Sequence, residues 1–324
     1  MIKEKPLVII THALPTDWLS LLHGKCRLII GPEGGSGFTP RLEEHLPEAE
    51  ALFTLLVDPV TEDILERAPN LKVVSNMAVG VDNVDVAACV KRGIAVGHTP
   101  GALTASTADL AFGLLLAAGR RIPEAQADAR AGRWTTWNPT GWLGADLDGA
   151  TLGIVGMGKI GVAVAQRAKG FGMKIIFTNR SPLPEIEEKL NAQQVSLDDL
   201  LKQSDFVSLH VPLTEETHHL IDAAALRKMN ASAILVNTAR GSVVDTDALH
   251  EALSQGWIGA AGLDVTDPEP LPQEHPLYAL SNCVITPHIG SATHYARRRI
   301  AEIACQNVLA ALEGRELVHC VNPD

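Results

Sequence analysis

The chain alternates short apolar runs with longer segments of helical composition. In its N-terminal third, five runs have the length and β-branched content of buried strands. These runs are Pro6–Thr11, Cys26–Ile30, Ala51–Val57, Leu71–Ser75 and Ile94–Gly97. Strands that alternate with helices favour a parallel sheet whose two faces are both covered by helices. The N-terminal third is therefore predicted to form an α/β sheet.

A second series of runs follows a long apolar helix predicted at Ser106–Ala118, for which Thr104 is a candidate N-cap. Six further runs predict its strands: Thr151–Val155, Lys174–Thr178, Phe206–His210, Ala233–Asn237, Gly259–Leu263 and Cys283–Thr286. A last helix is predicted over residues 292–312. The second series is self-contained, so the pattern predicts two Rossmann-like α/β domains with parallel sheets, one inserted in the other.

Length and composition agree with two aliphatic domains. The chain has 324 residues, more than one core usually supports. It is 46% hydrophobic and only 4% aromatic, and its formal net charge of −11 argues against nucleic-acid or anionic-membrane binding. The five cysteines form no CxxC pair, and no long uncharged apolar segment occurs. We expect a cytoplasmic protein in a reducing compartment, without a membrane span.

A glycine-rich turn follows the strand Thr151–Val155. Gly156, Gly158 and Gly161 form a G-x-G-x-x-G pattern, and residues 162–170 continue as a helix. Lys159 and Ile160, between the second and third glycines, are candidate cofactor contacts. The first glycine permits a tight turn, the second lets a pyrophosphate approach, and the third lets helix and strand pack closely. This context predicts a dinucleotide site. Residues 104–286 are the predicted dinucleotide-binding domain, and residues 1–103 and 287–324 the substrate-binding domain.

The end of the next strand predicts which dinucleotide is used. Sites that prefer NAD usually carry an acidic residue there, which accepts hydrogen bonds from the ribose. This chain has Asn179, Arg180 and Ser181 instead. A guanidinium pairs well with a 2′-phosphate, so NADPH is the preferred cofactor and NADH remains possible. The alternative is that Arg180 stacks on the adenine and both cofactors are used.

Three later segments carry the candidate chemistry: 236–245, 262–270 and 286–293. With these segments the chain resembles the D-isomer-specific 2-hydroxyacid dehydrogenase family, and the resemblance covers essentially the whole sequence. The segment from 260 to 294 and the loop at Trp134–Trp137 are similar to those of glyoxylate/hydroxypyruvate reductases. Because the simplest arrangement inserts one domain in the other, the active site is expected in the cleft between them, a usual place for ligands.

Three residues of these segments have complementary chemistry. The planar guanidinium of Arg240 can hold a carboxylate or a 2-oxygen with two hydrogen bonds. An imidazole exchanges protons near neutral pH, so His288 is the expected proton donor to a carbonyl oxygen. Glu269 would bind the other ring nitrogen and stabilise the imidazolium. The resemblance assigns the same catalytic roles to these positions.

Further substrate contacts follow from the resemblance. It implies that backbone N–H groups at Val79 and Gly80 receive the substrate carboxylate, although a plain turn after a strand is the alternative. Ser291 lies beside His288 in the third segment and is assigned to the substrate. Trp137 lies on a loop that crosses to a partner subunit and closes the pocket in the similar reductases. Ordinary packing in a dimer interface is its alternative.

Further cofactor contacts are implied in the same way. Asp264 would accept from the nicotinamide carboxamide, or else cap a short turn. Thr107 either reaches the cofactor or bonds back to its own helix. The remaining positions would line the adenosine and nicotinamide ribose: His210, Pro212, Thr238, Ala239 and Gly290.

The implied activity is reduction of glyoxylate and hydroxypyruvate to glycolate and D-glycerate, by a homodimer. The alternatives are a reductase for another small 2-keto acid, or a dinucleotide-sensing scaffold similar to transcriptional co-repressors. A metal is not expected, because the adjacent His218 and His219 cannot easily converge on one ion, even with His210 nearby. Asp245 and Asp247 are expected to cap the helix predicted at Thr246–Gln255.

Overall fold

A computed structural model describes residues 4–35 and 37–322. The chain divides into two compact units, one running to Leu103 and resuming at Thr293, the other spanning Thr104–Ala292. The second boundary lies after Ala292 and not after Thr286, so the loop that carries His288 belongs to the second unit. The reason is local, because this loop is hydrogen-bonded to the end of a strand of that unit.

The first unit contains a five-stranded, fully parallel sheet with the order β2-β1-β3-β4-β5. Its strands are β1 (Leu7–Ile10), β2 (Arg27–Ile30), β3 (Ala49–Thr54), β4 (Val73–Asn76) and β5 (Ala95–Gly97). Its helices are α1 (Pro40–Glu43), α2 (Glu62–Glu66), α3 (Val86–Lys91) and α11 (His294–Leu312). Each of the five strands overlaps one predicted run, but begins or ends at a different residue.

Side chains of this sheet alternate between two cores. Ile9 faces the core that α1, α2 and α3 cover, while its neighbours Val8 and Ile10 face the core that α11 covers. Successive side chains in a strand point to opposite faces, so a strand buried on both faces must be apolar throughout. This is why the first strand appears in the sequence as an unbroken apolar run.

The second unit contains a seven-stranded parallel sheet with the order β12-β11-β10-β9-β6-β7-β8. Its strands are β6 (Thr151–Val155), β7 (Lys174–Thr178), β8 (Ala192–Gln194), β9 (Phe206–Leu209), β10 (Ile234–Asn237), β11 (Ala260–Leu263) and β12 (Cys283–Ile285). Its helices are α4 (Thr104–Gly119), α5 (Ile122–Arg130), α6 (Lys159–Gly170), α7 (Pro184–Leu190), α8 (Leu197–Gln203), α9 (Ala223–Leu226) and α10 (Thr246–Gln255).

The strand order of this unit reverses direction at β6. From β6 the chain moves outward through β7 and β8, then returns to place β9 on the other side of β6. Ligands of open parallel sheets bind outside the carboxyl ends of the strands at such a reversal. Two buried cores, one on each face, contain mostly aliphatic side chains, as the low aromatic content predicts.

Three predictions about elements in this unit need correction. Strand β8 was not predicted, because its three residues include Gln193 and Gln194 and lie at the edge of the sheet. Thr104 is the first residue of α4 and not its N-cap. Asp245 caps α10 by accepting from the Ala248 N–H at 3.0 Å, whereas Asp247 lies in the first turn. Within the described residues, no helix combines the length and the apolar character needed to cross a membrane.

Candidate active site

Most predicted site residues of the second unit follow the carboxyl ends of neighbouring strands. Because all seven strands are parallel, these ends share one edge of the sheet. In the spatial order of the strands, this edge carries His288 after β12, Asp264 and Glu269 after β11, Arg240 after β10, His210 after β9, Gly156 after β6, and Arg180 after β7. Residues that are far apart in the sequence are thereby brought together along a single line.

His288 and Glu269 form a close pair. The Nδ1 atom of His288 lies 2.6 Å from Oε1 of Glu269, and both side chains are partly exposed. Since a carboxylate accepts, Nδ1 is the nitrogen that carries a proton in this contact. The other carboxylate oxygen of Glu269 accepts from the Thr266 N–H at 3.3 Å. The pairing fixes the imidazole and directs Nε2 away from Glu269.

Asp264 holds the backbone of the loop that carries His288. Its carboxylate is buried and accepts from the Ile289 N–H at 2.8 Å, the Gly290 N–H at 2.7 Å and the Thr286 hydroxyl at 2.7 Å. Its backbone carbonyl accepts from the His288 N–H. His288 itself has a positive φ of 51°, a conformation that costs energy for a non-glycine residue.

Asp264 has a structural role that the sequence did not predict. The sequence offered two roles, a cofactor contact or the cap of a short turn, and neither describes the three bonds to residues 286–290. Thr286 was given no role, because the sequence pattern marks it only as the last residue of the predicted strand Cys283–Thr286. Thr107 is buried, and its hydroxyl lies 3.3 Å from where a Cβ on Gly290 would stand. A side chain at position 290 would therefore crowd both Asp264 and Thr107.

Arg240 lies on a loop held at both ends. Its carbonyl accepts from the Asn237 side chain at 2.8 Å, and its guanidinium donates to the Ala239 carbonyl at 2.8 Å. The next residue, Gly241, is packed so tightly that a Cβ there would lie 1.9 Å from the Thr266 carbonyl oxygen. The Arg240 loop and the segment leading to Glu269 are thus in direct backbone contact.

The turn between β6 and α6 has the features of a phosphate-binding turn. Gly156 has a φ of +95°, and a Cβ there would lie 2.8 Å from the His210 carbonyl oxygen. A Cβ at Gly161 would lie 2.3 Å from the Gly156 oxygen, whereas one at Gly158 would meet nothing within 4 Å. The N-terminus of α6 has no side-chain cap. Open space therefore faces uncapped N–H groups, as a dinucleotide pyrophosphate requires.

Two buried polar atoms at this edge of the sheet have no partner among the described residues: Nδ1 of His210 and the hydroxyl of Thr238. Burial lowers the pKa of His210 to about 4, so its ring is neutral. Its Nε2 contacts the Ser208 hydroxyl at 2.8 Å. Unpaired buried polar atoms are costly, and a bound polar ligand would satisfy them. The residues present therefore fit a dinucleotide.

The end of β7 is exposed and basic. Arg180 and Ser181 are exposed, while Asn179 is half-buried and donates from its side chain to the Ser181 carbonyl at 3.1 Å. The side chain of Gln194, on the edge strand β8, donates to the Asn179 carbonyl at 2.9 Å. The backbone around Arg180 is thus held, and its guanidinium extends toward solvent. Pro212, beyond β9, is exposed.

Val79 and Gly80 lie in the first unit, in a turn that follows β4. The carbonyls of this turn are bound within the unit. Ala78 accepts from the Thr99 N–H at 2.8 Å, and Gly80 accepts from the Asn76 side chain at 2.9 Å. Within the described residues, neither the Val79 nor the Gly80 N–H donates to a protein acceptor.

The tryptophan loop extends into solvent. Trp137 is 80% exposed and Trp134 is 75% exposed. Three of the five tryptophans, with Trp142, are therefore exposed in this one stretch. Ser291 is half-buried directly after the His288 loop.

His218 and His219 lie close to Asp245. His218 and His219 stack with ring centroids 4.0 Å apart, and Nδ1 of His219 lies 3.9 Å from the Asp245 carboxylate. In the described part of the chain, no three His, Cys, Asp or Glu side chains are grouped to hold a metal ion.

Comparison with known proteins identifies the family. Residues 112–290 match the model of the D-isomer specific 2-hydroxyacid dehydrogenase NAD-binding domain, which is more than half of the chain. The chain belongs to the D-isomer specific 2-hydroxyacid dehydrogenase family. As a member of that family, it is an NAD(P)-dependent oxidoreductase. The predicted family and the predicted fold class are confirmed.

Members of this family match the chain along its full length. It is 48% identical to the glyoxylate reductase of Thermococcus litoralis over 324 residues, which cover 99% of this chain and 98% of that protein. It is 47% identical to the glyoxylate reductase of Korarchaeum cryptofilum over 321 residues, covering 99% and 97% of the two chains.

Two solved structures of similar proteins show the same fold. The TT0316 protein of Thermus thermophilus superimposes with a TM-score of 0.91 and 49% identity, covering 98% of this chain and 100% of that one. An NADPH-dependent glyoxylate/hydroxypyruvate reductase of Sinorhizobium meliloti, solved with NADP and malonate, has a TM-score of 0.86 and 28% identity, covering 98% and 97%.

Proposed function

We propose that this protein is an NADPH-preferring reductase of small 2-keto acids, with glyoxylate and hydroxypyruvate as substrates and glycolate and D-glycerate as products. One observation carries the proposal. A chain nearly half identical to glyoxylate reductases over its full length also has a bonded His288–Glu269 pair at the sheet edge that carries Arg240. Besides a hydride from the cofactor, reduction of a keto acid needs proton delivery to the carbonyl oxygen and binding of the carboxylate.

His288 is the proposed proton donor. Glu269 occupies Nδ1, so the Nε2 proton of the imidazolium is the one available to the substrate carbonyl oxygen. The negative charge of Glu269 stabilises the imidazolium before transfer and keeps the ring oriented during it. As the carbonyl carbon is reduced, the oxygen takes this proton and becomes a hydroxyl.

Arg240 is the proposed carboxylate-binding residue. A planar guanidinium can bind a carboxylate with two parallel hydrogen bonds, which fixes the orientation of a small substrate. Holding the reacting groups in line contributes much of the rate in such reactions. The N–H groups of Val79 and Gly80 are proposed as further donors to the carboxylate, and Ser291 as a neighbouring substrate contact.

A bound nicotinamide dinucleotide supplies the hydride for the reaction. We assign the pyrophosphate to the turn of Gly156, Gly158 and Gly161, with Lys159 and Ile160 in the first turn of α6. The unpaired atoms of His210 and Thr238 support a polar ligand along the same edge. Further cofactor contacts are proposed at Thr107, Pro212, Ala239, Asp264 and Gly290.

NADPH is the proposed preferred cofactor because the end of β7 offers a cation and hydrogen-bond donors in place of an acid. Arg180 is exposed and Asn179 and Ser181 flank it, so a 2′-phosphate can be received without displacing a buried group. A charge-assisted hydrogen bond between the Arg180 guanidinium and the 2′-phosphate would favour NADPH over NADH.

A homodimer is the proposed assembly. Trp134, Trp137, Trp142, Leu143 and Ile122 are exposed within one stretch of the second unit, an unusual concentration of large apolar side chains. Such a patch is typical of an interface, and aromatic residues are enriched at interfaces. A closed two-fold dimer is the commonest way to cover it. Trp137 then either closes the partner's pocket or packs in the interface.

The test is a matrix of initial rates. Purified protein is assayed with glyoxylate, hydroxypyruvate and pyruvate, each with NADPH and with NADH, by following the absorbance of the reduced cofactor. The proposal expects turnover of glyoxylate and hydroxypyruvate with a higher kcat/KM for NADPH. Turnover of pyruvate alone would contradict the substrate assignment. Tight NADPH binding without turnover of any keto acid would favour a dinucleotide-sensing scaffold.

A further inference from the structure

His98 follows β5 in the first unit and has a contact that its backbone position does not require. Its Nδ1 atom lies 2.9 Å from the carbonyl oxygen of Val79. A carbonyl oxygen can only accept, so Nδ1 carries the proton and donates to Val79. The side chain of Asn76 holds the neighbouring Gly80 carbonyl in the same turn. Two side chains of the first unit thus bind consecutive carbonyls of this turn.

The hydrogen bond from His98 to the Val79 carbonyl also sets the direction of the Gly80 N–H, because both groups belong to the same peptide. The Val79 carbonyl and the Gly80 N–H belong to one planar trans peptide, so they point in opposite directions. Binding the carbonyl from one side therefore aims the N–H at the other side. In the same way the Thr99 N–H, by binding the Ala78 carbonyl at 2.8 Å, sets the direction of the Val79 N–H. His98 and Thr99 together orient two consecutive donors.

His98 is itself held firmly. Its backbone N–H donates to the His319 carbonyl at 3.2 Å, and its backbone carbonyl accepts from the Asn307 side chain at 3.0 Å. Asn307 is fully buried on α11, and its side-chain oxygen accepts from the His319 N–H at 3.1 Å. A Cβ at Gly97 would lie 2.7 Å from the Asn307 side chain, so β5 and α11 are in close contact. The imidazole is thus carried by a rigid backbone.

We infer that His98 is a positioning residue for the substrate carboxylate: its Nδ1–H locks the Val79 peptide so that the Gly80 N–H is presented to the carboxylate. This inference rests on the proposed function, because it needs a 2-keto acid bound at the 79–80 turn. Without the lock the peptide can rotate, and the donor must be reoriented at each binding event. The cost falls on substrate binding, not on the binding of the dinucleotide.

Two amide variants separate the hydrogen bond from the bulk of the ring. In His98→Asn the amide nitrogen lies two bonds beyond Cβ, as Nδ1 does, so the donor to Val79 is retained. In His98→Gln the amide nitrogen lies one bond farther, at the place of Nε2, and the donor is misplaced. His98→Ala removes the donor entirely. His23→Gln, at an exposed histidine of the same unit, is the matched control.

Steady-state kinetics with glyoxylate and NADPH, and thermal unfolding of each variant, test the inference. We expect KM for glyoxylate to rise about tenfold in His98→Ala and His98→Gln, as loss of one hydrogen bond to a charged group implies. His98→Asn and His23→Gln should match the wild type. KM for NADPH and the melting temperature should not change in any variant.

The failures are distinguishable. An inactive wild type would overturn the proposed function. An active wild type would overturn the inference alone if either of two results followed. One is that His98→Gln and His98→Asn have equal glyoxylate KM values. The other is that KM for NADPH rises by the same factor as KM for glyoxylate, or that the melting temperature falls in every variant whose KM for glyoxylate rises. Either result would mean that His98 only supports the fold.

Discussion

At the residue scale, the candidate site depends on backbone contacts as much as on reactive side chains. Asp264 binds the loop of His288 with its carboxylate, and Gly241 lets the segment before Glu269 approach the loop of Arg240. His288 itself adopts a left-handed conformation that its neighbours must stabilise. Small changes beside the reactive groups should therefore reduce activity strongly.

Gly241→Ala tests the contact between the two loops. The new Cβ would lie 1.9 Å from the Thr266 carbonyl oxygen, so one backbone segment must move. We expect the free energy of unfolding to fall by about 1–3 kcal/mol and kcat/KM for glyoxylate to fall by about 100-fold. Gly170→Ala is the matched control, because a Cβ there meets nothing within 4 Å and the residue lies at the end of α6.

Urea unfolding and initial rates would be measured on both glycine variants. The control should be as stable as the wild type or slightly more stable, since alanine restricts the unfolded chain. If Gly241→Ala kept wild-type activity, the tight approach of the two loops would not matter for positioning Arg240 and Glu269.

His210 makes stability depend on pH. Burial lowers the pKa of its ring to about 4, whereas an unfolded histidine has a pKa of about 6.5. Below the unfolded value the unfolded chain takes up a proton that the folded chain refuses. Its contribution to stability is therefore complete above about pH 6.5 and is lost as the pH falls to about 4, by about 3 kcal/mol in total.

The measurement is urea unfolding of the wild type and His210→Gln, without cofactor, over this pH range. Glutamine keeps a polar atom near Ser208 but does not titrate, so the variant should lose less stability on acidification. The difference between the two proteins should narrow as the pH falls. Parallel stability curves for both proteins would show that His210 is not buried as a neutral ring.

At the element scale, parallel pairing explains how the site is assembled. Asn237 is in register with Leu263, and Leu263 with Ile285, so the residues that follow these three strands start level with one another. The same edge continues across β9 and β6 to β7. The catalytic candidates lie at one end of this row and the basic end of β7 lies at the other.

Arg180→Ala tests the cofactor end of the row. Removing the guanidinium should lower the affinity for NADPH by about 10- to 100-fold, because a charge-assisted bond to a phosphate is lost. The affinity for NADH should hardly change. Fluorescence titration of both cofactors gives the two dissociation constants. Equal losses for NADPH and NADH would favour stacking on the adenine, which the two cofactors share.

Much of the fold could be predicted because buried parallel strands are continuous apolar runs. Strand β8 could not, because Gln193 and Gln194 give it no apolar signal and only pairing with β7 defines it. Several predicted runs extended beyond the observed strands, because residues such as Cys26 and Val57 are apolar but lie outside the hydrogen-bonded ladders. An apolar run predicts burial, and pairing then decides where a strand ends.

The candidate site could be predicted in its residue types and less well in its contacts. Arg240, Glu269 and His288 stand in recognisable segments, whereas the three bonds that Asp264 makes to residues 286–290 depend on the neighbouring positions of β11 and β12. The same bonds explain why the second unit extends to Ala292. The side-chain bond of His98 to Val79 likewise joins elements whose contact no local pattern predicts.

At the scale of the whole molecule, charge and exposed apolar surface point to different partners. A formal net charge of −11 disfavours association with nucleic acids, while the basic residues needed for anionic ligands are confined to particular sites such as Arg240 and Arg180. The exposed stretch from Ile122 to Leu143 is instead suited to a second copy of the chain. Small anions and a second subunit are therefore expected to bind through different chemistry.

Light scattering coupled to size exclusion tests the assembly. We expect a particle of twice the 34.5 kDa mass of the chain. The double substitution Trp134→Ser with Trp137→Ser should weaken the dimer by about 10- to 1,000-fold, because truncation of buried interface aromatics costs a few kcal/mol. Tyr278→Ser, at an exposed aromatic residue elsewhere in the second unit, should have no effect. A monomeric wild type would contradict the proposed dimer.

The central claim is that His288, paired with Glu269, donates the proton that completes reduction of a keto acid. The most direct test compares kcat for glyoxylate between the wild type and His288→Ala, with NADPH affinity measured in parallel. The account predicts that kcat falls by about 100- to 10,000-fold while NADPH binds nearly as before. A variant that keeps wild-type turnover of glyoxylate would contradict it.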